Sequence, residues 1–495
     1  MDLDDYRREA EAFSEALSRE HYLHLAGHKP TLDIEPIYAA HGALFEPGAV
    51  RSLRELAGRE APHEELRRRR LLLHFAVDGL IGEATKAEVA EAANLEAELM
   101  VEAGGETLPY RQVPVVQANE SDGGRRAELE EARNRLVTER FDPLALATLE
   151  RSHAICRELG WSSYAEAYAE LRGIDLVALA VETESFLART EHAYEEVVGS
   201  ELRTTGLPQF GELRRSDLPR FFRATHLDPP FPSDRLVASL TKTLRGMGID
   251  LEAQRNVTLD TEPRPSKSPR AFCSTPQVPG EVYLVVAPIG GRDDYAALFH
   301  EAGHTEHYAN TEASLAFEFR LLGDNSVTES FAFLLEHLVD EPRWLGSMAG
   351  VEDPEVIVAH GKARRLLMLR RYAAKLAYEL DLHAPAPRLE ELPRRYASLL
   401  ERATRARWPM ASWLVDVDEG FYAACYLRAW ALETYWRRAL RERFGEDWFT
   451  SPAAGSWLRE VWADGQRLDA TELLAERLGE ELRFDVLAEA YEEMV

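Results

Sequence analysis

Cysteine is scarce in this chain of 495 residues: Cys156, Cys273 and Cys425 are the only three, odd in number and far apart. That spacing excludes a disulfide framework and a paired-cysteine zinc motif. It leaves buried thiols in a reducing compartment as the plain reading, Cys273 included. Long apolar runs are missing too. None approaches the roughly 20 residues that a membrane-spanning helix needs, so no membrane partner is expected. The acidic, amphipathic start MDLDDYRREAEAF lacks the basic and then apolar order of a signal peptide. The expected location is cytoplasmic. Positive charge is in deficit, with 58 Lys and Arg against 86 Asp and Glu and a net charge of −28. Phosphate contacts need a basic face, so a nucleic-acid partner is excluded. The arginine run 67–70 follows Glu64 and Glu65 at helical spacing and reads as an ion-paired, solvated face.

What is present is mostly helical pattern. Apolar positions recur at three- and four-residue spacing near 5–26, 50–75, 83–104, 124–140, 143–171 and 174–203, and again from about 293 onward. A chain this long outgrows one core, so two or more lobes are expected: a helical N-terminal lobe over 1–200 and a catalytic region over 201–495, interleaved. Glycine and proline punctuate this pattern. Gly104-Gly105 and Gly123-Gly124 bracket an extended-looking stretch, 110–117. The longest irregular segment, about 258–280, carries five prolines. EVYLVVAP, 281–288, is the clearest strand, short and β-branched. Gly290-Gly291 then turns the chain into a new helix. The fold class is mostly α, with a small antiparallel sheet beside that helix.

The new helix carries H-E-x-x-H as His300, Glu301 and His304. Residues four apart share a helix face, so the two imidazoles converge on one ion, a single zinc per chain. Glu301 lies about 100° around the helix and is placed to accept a proton from the attacking water. A third ligand comes best from a second helix, and Glu329, 25 residues beyond His304, sits at the start of the next one. A competing reading remains open there. Ser326-x-x-Glu329 is a capping box, in which Glu329 would cap the helix and bind no metal. Glu336, two turns on, is the fallback ligand or a support for the others. His307 lies a full turn past the metal and is read as supporting the ligands or facing substrate; Glu306 points to another face.

With these residues in view, HEAGHTEH resembles the H-E-x-G-H-x-x-H motif of the thimet oligopeptidase and oligoendopeptidase F family of gluzincin zinc metallopeptidases. SPRAFCSTPQVPGEVYLVV resembles the AFC/AYC stretch that leads into that family's edge strand. The likeness covers about 265–340 and 416–449 and is thin over the first 200 residues. More distant similarity extends to angiotensin-converting enzyme and thermostable carboxypeptidases. The resemblance implies a two-lobed helical body with a deep central channel for short, unstructured peptides. It implies that Val282, Tyr283 and Leu284 pair with an extended substrate. It also implies that a tyrosine-rich helix, here Tyr422 and Tyr426, donates hydroxyls to the oxyanion. Two positions depart from the pattern: Gly420 stands where a His is expected, and Arg428 where a second tyrosine is. Arg428 is therefore an oxyanion donor, a clamp for a substrate carboxylate, or one partner of a structural ion pair. Tyr422 and Tyr426 are hydroxyl donors or packing on one helical face. The function implied is zinc-dependent hydrolysis of short peptides. The alternatives are a carboxypeptidase or dipeptidyl carboxypeptidase on the same fold, and an inactive peptide-binding scaffold. Oligomeric state stays open.

Overall fold

The computed structural model describes residues 2–492. With 69% of it in helices, the chain is mostly α, as the periodicity predicts. The elements that matter for function are helix α1 (Leu3–Leu25), strands β1 (Met100–Ala103), β2 (Glu106–Pro109), β3 (Val257–Asp260), β4 (Phe272–Gln277) and β5 (Glu281–Val285), and helices α2 (Arg292–Ala309), α3 (Asn325–Glu336), α4 (Glu355–Leu382) and α5 (Tyr422–Phe444). No helix among the described residues is long and apolar enough to cross a membrane.

The chain forms two compact units. One comprises Met1–Val77, His226–Val358 and Arg428–Arg483; the other comprises Asp78–Thr225, Ala359–Leu427 and Phe484–Val495. The units interleave along the sequence, but the division does not fall at residue 200. The reason is packing: α1 lies on the sheet of the H-E-x-x-H region, so the first 77 residues belong with it.

In the first unit the strands run in the order β3-β5-β4. β3 is parallel to β5, and β4 is antiparallel to it. The sheet beside α2 is thus mixed rather than purely antiparallel. Tyr22 and Ala26 pack on the face formed by Val285, Phe272 and Tyr283. The Tyr22 and Tyr283 rings stack 3.7 Å apart. The opposite face meets α2. The segment read as irregular holds β4, whose Pro276 falls where the register with β5 shifts. A proline is tolerated there because β4 is an edge strand and needs no ladder bond at the bulge.

In the second unit, Gly104 and Gly105 adopt φ of 58° and 80° and close a hairpin of β1 and β2. Two positive-φ residues in a two-residue loop give a turn whose twist matches the strands. The stretch 110–117, read as extended, is instead a 3-10 turn followed by helix Val113–Asn119, with Pro114 in its first turn. His360 and His383 are buried here; His360 Nδ1 meets Glu201 Oε1 at 2.8 Å and His383 Nδ1 meets His153 Nε2 at 2.8 Å.

Candidate metal centre

Helix α2 starts abruptly. Gly290 and Gly291 both have φ of 91°, a conformation that side-chain-bearing residues rarely adopt. Asp294 Oδ2 accepts from the Ile289 and Gly290 N–H groups at 2.8 Å each, and Asp293 and Asp294 place negative charge at the helix N-terminus. Arg292 is buried, and its guanidinium forks onto Asp340 at 2.5 and 2.6 Å. The second helix, α3, is capped by Asp324, whose Oδ1 accepts from Ser326 N at 2.9 Å. Ser326 lies inside the helix, so the capping-box reading fails and Glu329 has no capping duty. The Asp at 324, just ahead of Asn325-Ser326, is an N-cap signal that would have placed the helix start correctly.

α2 and α3 approach closely through Gly303. A Cβ at this position would stand 2.4 Å from Phe331 O and 2.5 Å from Ala332 Cα. Only glycine lets the helices meet at this distance, which accounts for the G of HEAGH. The approach brings one ligand atom each from His300, His304 and Glu329 within 4.8 Å of one another. Glu329 Oε2 lies 3.4 Å from His300 Nε2 and 3.6 Å from His304 Nε2.

Both imidazoles turn Nε2 toward the centre and Nδ1 away from it. His300 Nδ1 is 3.0 Å from Glu336 Oε2, and His304 Nδ1 is 2.8 Å from Thr328 Oγ1. Such partners fix ring orientation and tautomer, the usual support of metal-ligating histidines. Glu336 therefore backs His300 and lies outside the His300, His304 and Glu329 cluster. Thr328 was missed in the sequence, although it directly precedes Glu329. Burial alone would lower the His300 pKa, but Glu329 and Glu336 on either side outweigh it and raise it to about 10. Burial holds His304 below its ordinary range despite Glu329. A pocket of two imidazoles and a carboxylate, with a second carboxylate behind, suits a divalent cation of zinc's ligand preference.

Glu301 is anchored from the sheet. Its Oε2 accepts the Cys273 N–H at 2.8 Å. That bond points away from β5, so the open edge of β4 faces Glu301. The strand assigned to substrate pairing must be corrected accordingly. Val282, Tyr283 and Leu284 lie on β5, the central strand, with both edges already paired. Val282 and Leu284 are buried, and the Tyr283 hydroxyl donates to Glu281. Cys273 is only partly buried, and desolvation pushes its thiol well above the ordinary range.

His307 does not face substrate. It is fully buried, its Nε2 donates to Gly465 O at 3.2 Å, and its ring packs on Phe331. Burial drops its pKa to about 3, so it is a neutral core histidine. Glu306 accepts from Gln254 and Asn310, and burial raises it to about 7.

Arg428 is an ion-pair partner. Its Nη1 donates to Asp324 Oδ2 at 2.8 Å and its Nη2 to Thr471 Oγ1 at 3.1 Å. Asp324 Oδ2 also takes the Ala470 N–H at 3.0 Å. Despite burial, these donors keep the Asp324 carboxyl below its usual range. The guanidinium is committed to the cap of the helix that carries Glu329, which removes it from the roles of oxyanion donor and carboxylate clamp.

Tyr422 and Tyr426 lie in the other compact unit. Their rings meet edge to face at 4.9 Å, Tyr372 packs on Tyr426 at 5.4 Å, and the Arg172 guanidinium lies 5.5 Å above Tyr422. Gly420 has φ of 59°, and a Cβ there would come 2.6 Å from Tyr168 Cε1. The space that a histidine side chain would need is occupied. The structure thus brings His300, His304, Glu329 and Glu301 into one cluster, with Glu336 and Thr328 behind it. No family profile matches the sequence, and no curated protein matches it.

Proposed function

We propose that this chain is a zinc-dependent peptidase acting on short peptides, in the manner of the gluzincin oligopeptidases that its motifs resemble. The observation that carries the reading is the convergence of His300, His304 and Glu329 within 4.8 Å, from two helices, with Glu301 beside them. When bound at these three ligands, a zinc ion supplies Lewis acidity that makes water nucleophilic near neutral pH. The chain's own groups do the rest. Glu336 and Thr328 hold the two imidazoles in position. Cys273 N–H fixes Glu301 Oε2, so Oε1 takes the proton of the attacking water. The hydroxyl oxygen bonds to the peptide carbonyl carbon, and Glu301 returns the proton to the amide nitrogen as the C–N bond breaks. The engagement of Arg428 by Asp324 takes away the feature that favoured a carboxypeptidase.

The test is metal analysis and turnover on the same preparations. The purified chain should hold about one zinc and cut internally quenched peptides whether their C-termini are free or amidated. Glu329→Ala should bring bound zinc well below one equivalent after dialysis. Full zinc retention in that variant would remove Glu329 from the ligand set, and a zinc-replete chain that cuts nothing would leave a binding scaffold.

A further inference from the structure

A groove of about 340 Å³ runs between α1 and β4, lined on the strand side by Phe272, Cys273, Ser274 and Thr275. Successive strand residues point to opposite faces. A cavity touching four in a row therefore follows the strand's edge rather than one of its faces. The helix side is equally regular. Ser14, Leu17, Ser18, His21, Tyr22 and Leu25 recur at steps of three and four and form one stripe of α1, with Phe13 and Phe75 completing the wall. Its apolar wall is aromatic and leucine-rich, with Ser14, Ser18, Ser274, Thr275 and His21 as polar points. Next to Phe272 at one end, the groove passes Cys273, whose N–H is bonded to Glu301. Thr275, at the other end of the strand wall, stands roughly 7 Å further along.

The geometry points to a side-chain pocket: this groove takes one bulky apolar side chain, aromatic or leucine-sized, of a peptide lying beside the open edge of β4. The inference rests on the peptidase reading and adds to it a substrate class. Two features select this occupant. The groove is continuous with the backbone that anchors the proposed base, so whatever fills it sits within a residue or two of the cleaved bond. Its volume lies near the low end of the range of about 300–1,000 Å³ for small-molecule sites, enough for a large side chain and too little for a helix or a second chain. Beyond the Cys273 N–H, which Glu301 holds, the edge of β4 offers backbone groups to an extended chain, while the stripe of α1 offers the surface that reads its side chain.

The experiment uses the zinc-loaded full chain and one internally quenched peptide sequence. A single position is varied among Gly, Ala, Leu, Phe and Trp, and the varied position is then walked across the cleaved bond. At one fixed position, Leu and Phe should exceed Ala by 10-fold or more in kcat/KM, the discrimination a hydrophobic pocket of this kind supplies. Ser14→Trp places an indole in the groove, and the Phe-to-Ala ratio should then fall to within about twofold. Leu17→Ala enlarges the groove and should shift the preference toward Trp; its melting temperature, measured alongside, reports on folding. A flat preference at every position overturns the pocket, as does a Phe-to-Ala ratio unmoved by both substitutions. If zinc binds and no peptide is cut, the peptidase reading has failed on its own. The pocket then stands or falls on anisotropy with labelled peptides and the Glu301→Gln chain. Tighter binding of the Phe peptide, lost in Ser14→Trp, supports it; equal affinity for the Phe and Ala peptides overturns it.

Discussion

The His300, His304 and Glu329 cluster on α2 and α3 is read from helical spacing and the tyrosines at the start of α5 from family resemblance, and the two regions are built differently. In the first, three side chains have hydrogen-bond partners: His300 has Glu336, His304 has Thr328 and Glu301 has Cys273 N–H, while the helix bearing Glu329 is capped by Asp324. Tyr422 and Tyr426 pack ring on ring and beneath a guanidinium. Directional hydrogen bonds hold a group at a fixed distance and angle, and aromatic packing fixes where a ring lies. A preorganised site needs the former. The contrast teaches that directional bonds, from side chains and from the sheet backbone, hold the groups of the α2–α3 cluster.

Five substitutions can break or sharpen that contrast. The largest effect belongs to Glu301→Gln, which keeps shape and removes the proton acceptor. Zinc content should stay near normal while kcat falls by about 10²-fold or more. Near-wild-type turnover would move the base elsewhere, and the buried pairing of Glu306 with Gln254 and Asn310 makes that residue a poor substitute.

Glu336→Gln comes next. It keeps a hydrogen-bond partner for His300 but discards the charge, and zinc affinity measured by chelator competition should weaken by about 10–100-fold. The same pair sets a pH dependence in the metal-free chain. The folded pKa of His300, about 10, lies above its ordinary 6.5. Its protonation therefore stabilises the fold fully below pH 6.5, and that contribution is lost as pH rises toward about 10. Thermal melts of the apo chain across that window should show the decline, and Glu336→Gln should flatten it.

Arg428→Ala should act on stability and leave the reaction coordinate alone. Removing one partner of a mostly buried pair leaves Asp324 uncompensated, a loss of about 3 kcal/mol. Turnover of free-acid and amidated peptides should change by the same factor. A loss confined to free-acid peptides would restore the carboxylate clamp and overturn the ion-pair assignment.

Tyr422→Phe and Tyr426→Phe should disturb the fold least, since both keep the ring packing. A parallel fall in kcat and kcat/KM in either would mark that hydroxyl as an oxyanion donor, and unchanged kinetics in both would end the role.

What the sequence determined by itself is what local periodicity encodes. Four-residue spacing alone puts His300 and His304 on one face, and the start of the next helix puts Glu329 within reach of them. The mostly α class follows from the same repeat. Tertiary structure decided everything that depends on which distant segments meet. Strand spacing does not reveal sheet order, so EVYLV read as the substrate edge until β3 and β4 were found on either side of it. Ser326-x-x-Glu329 fits a capping box in sequence, but the cap is Asp324, held by Arg428 from more than 100 residues away. His307 shares its helix with the ligands, yet one turn of rise carries it into the core against Gly465 and Phe331. Helical phase is set by bonded geometry within a few residues; burial, sheet order and ion pairing are set by contacts between segments that only the folded chain brings together.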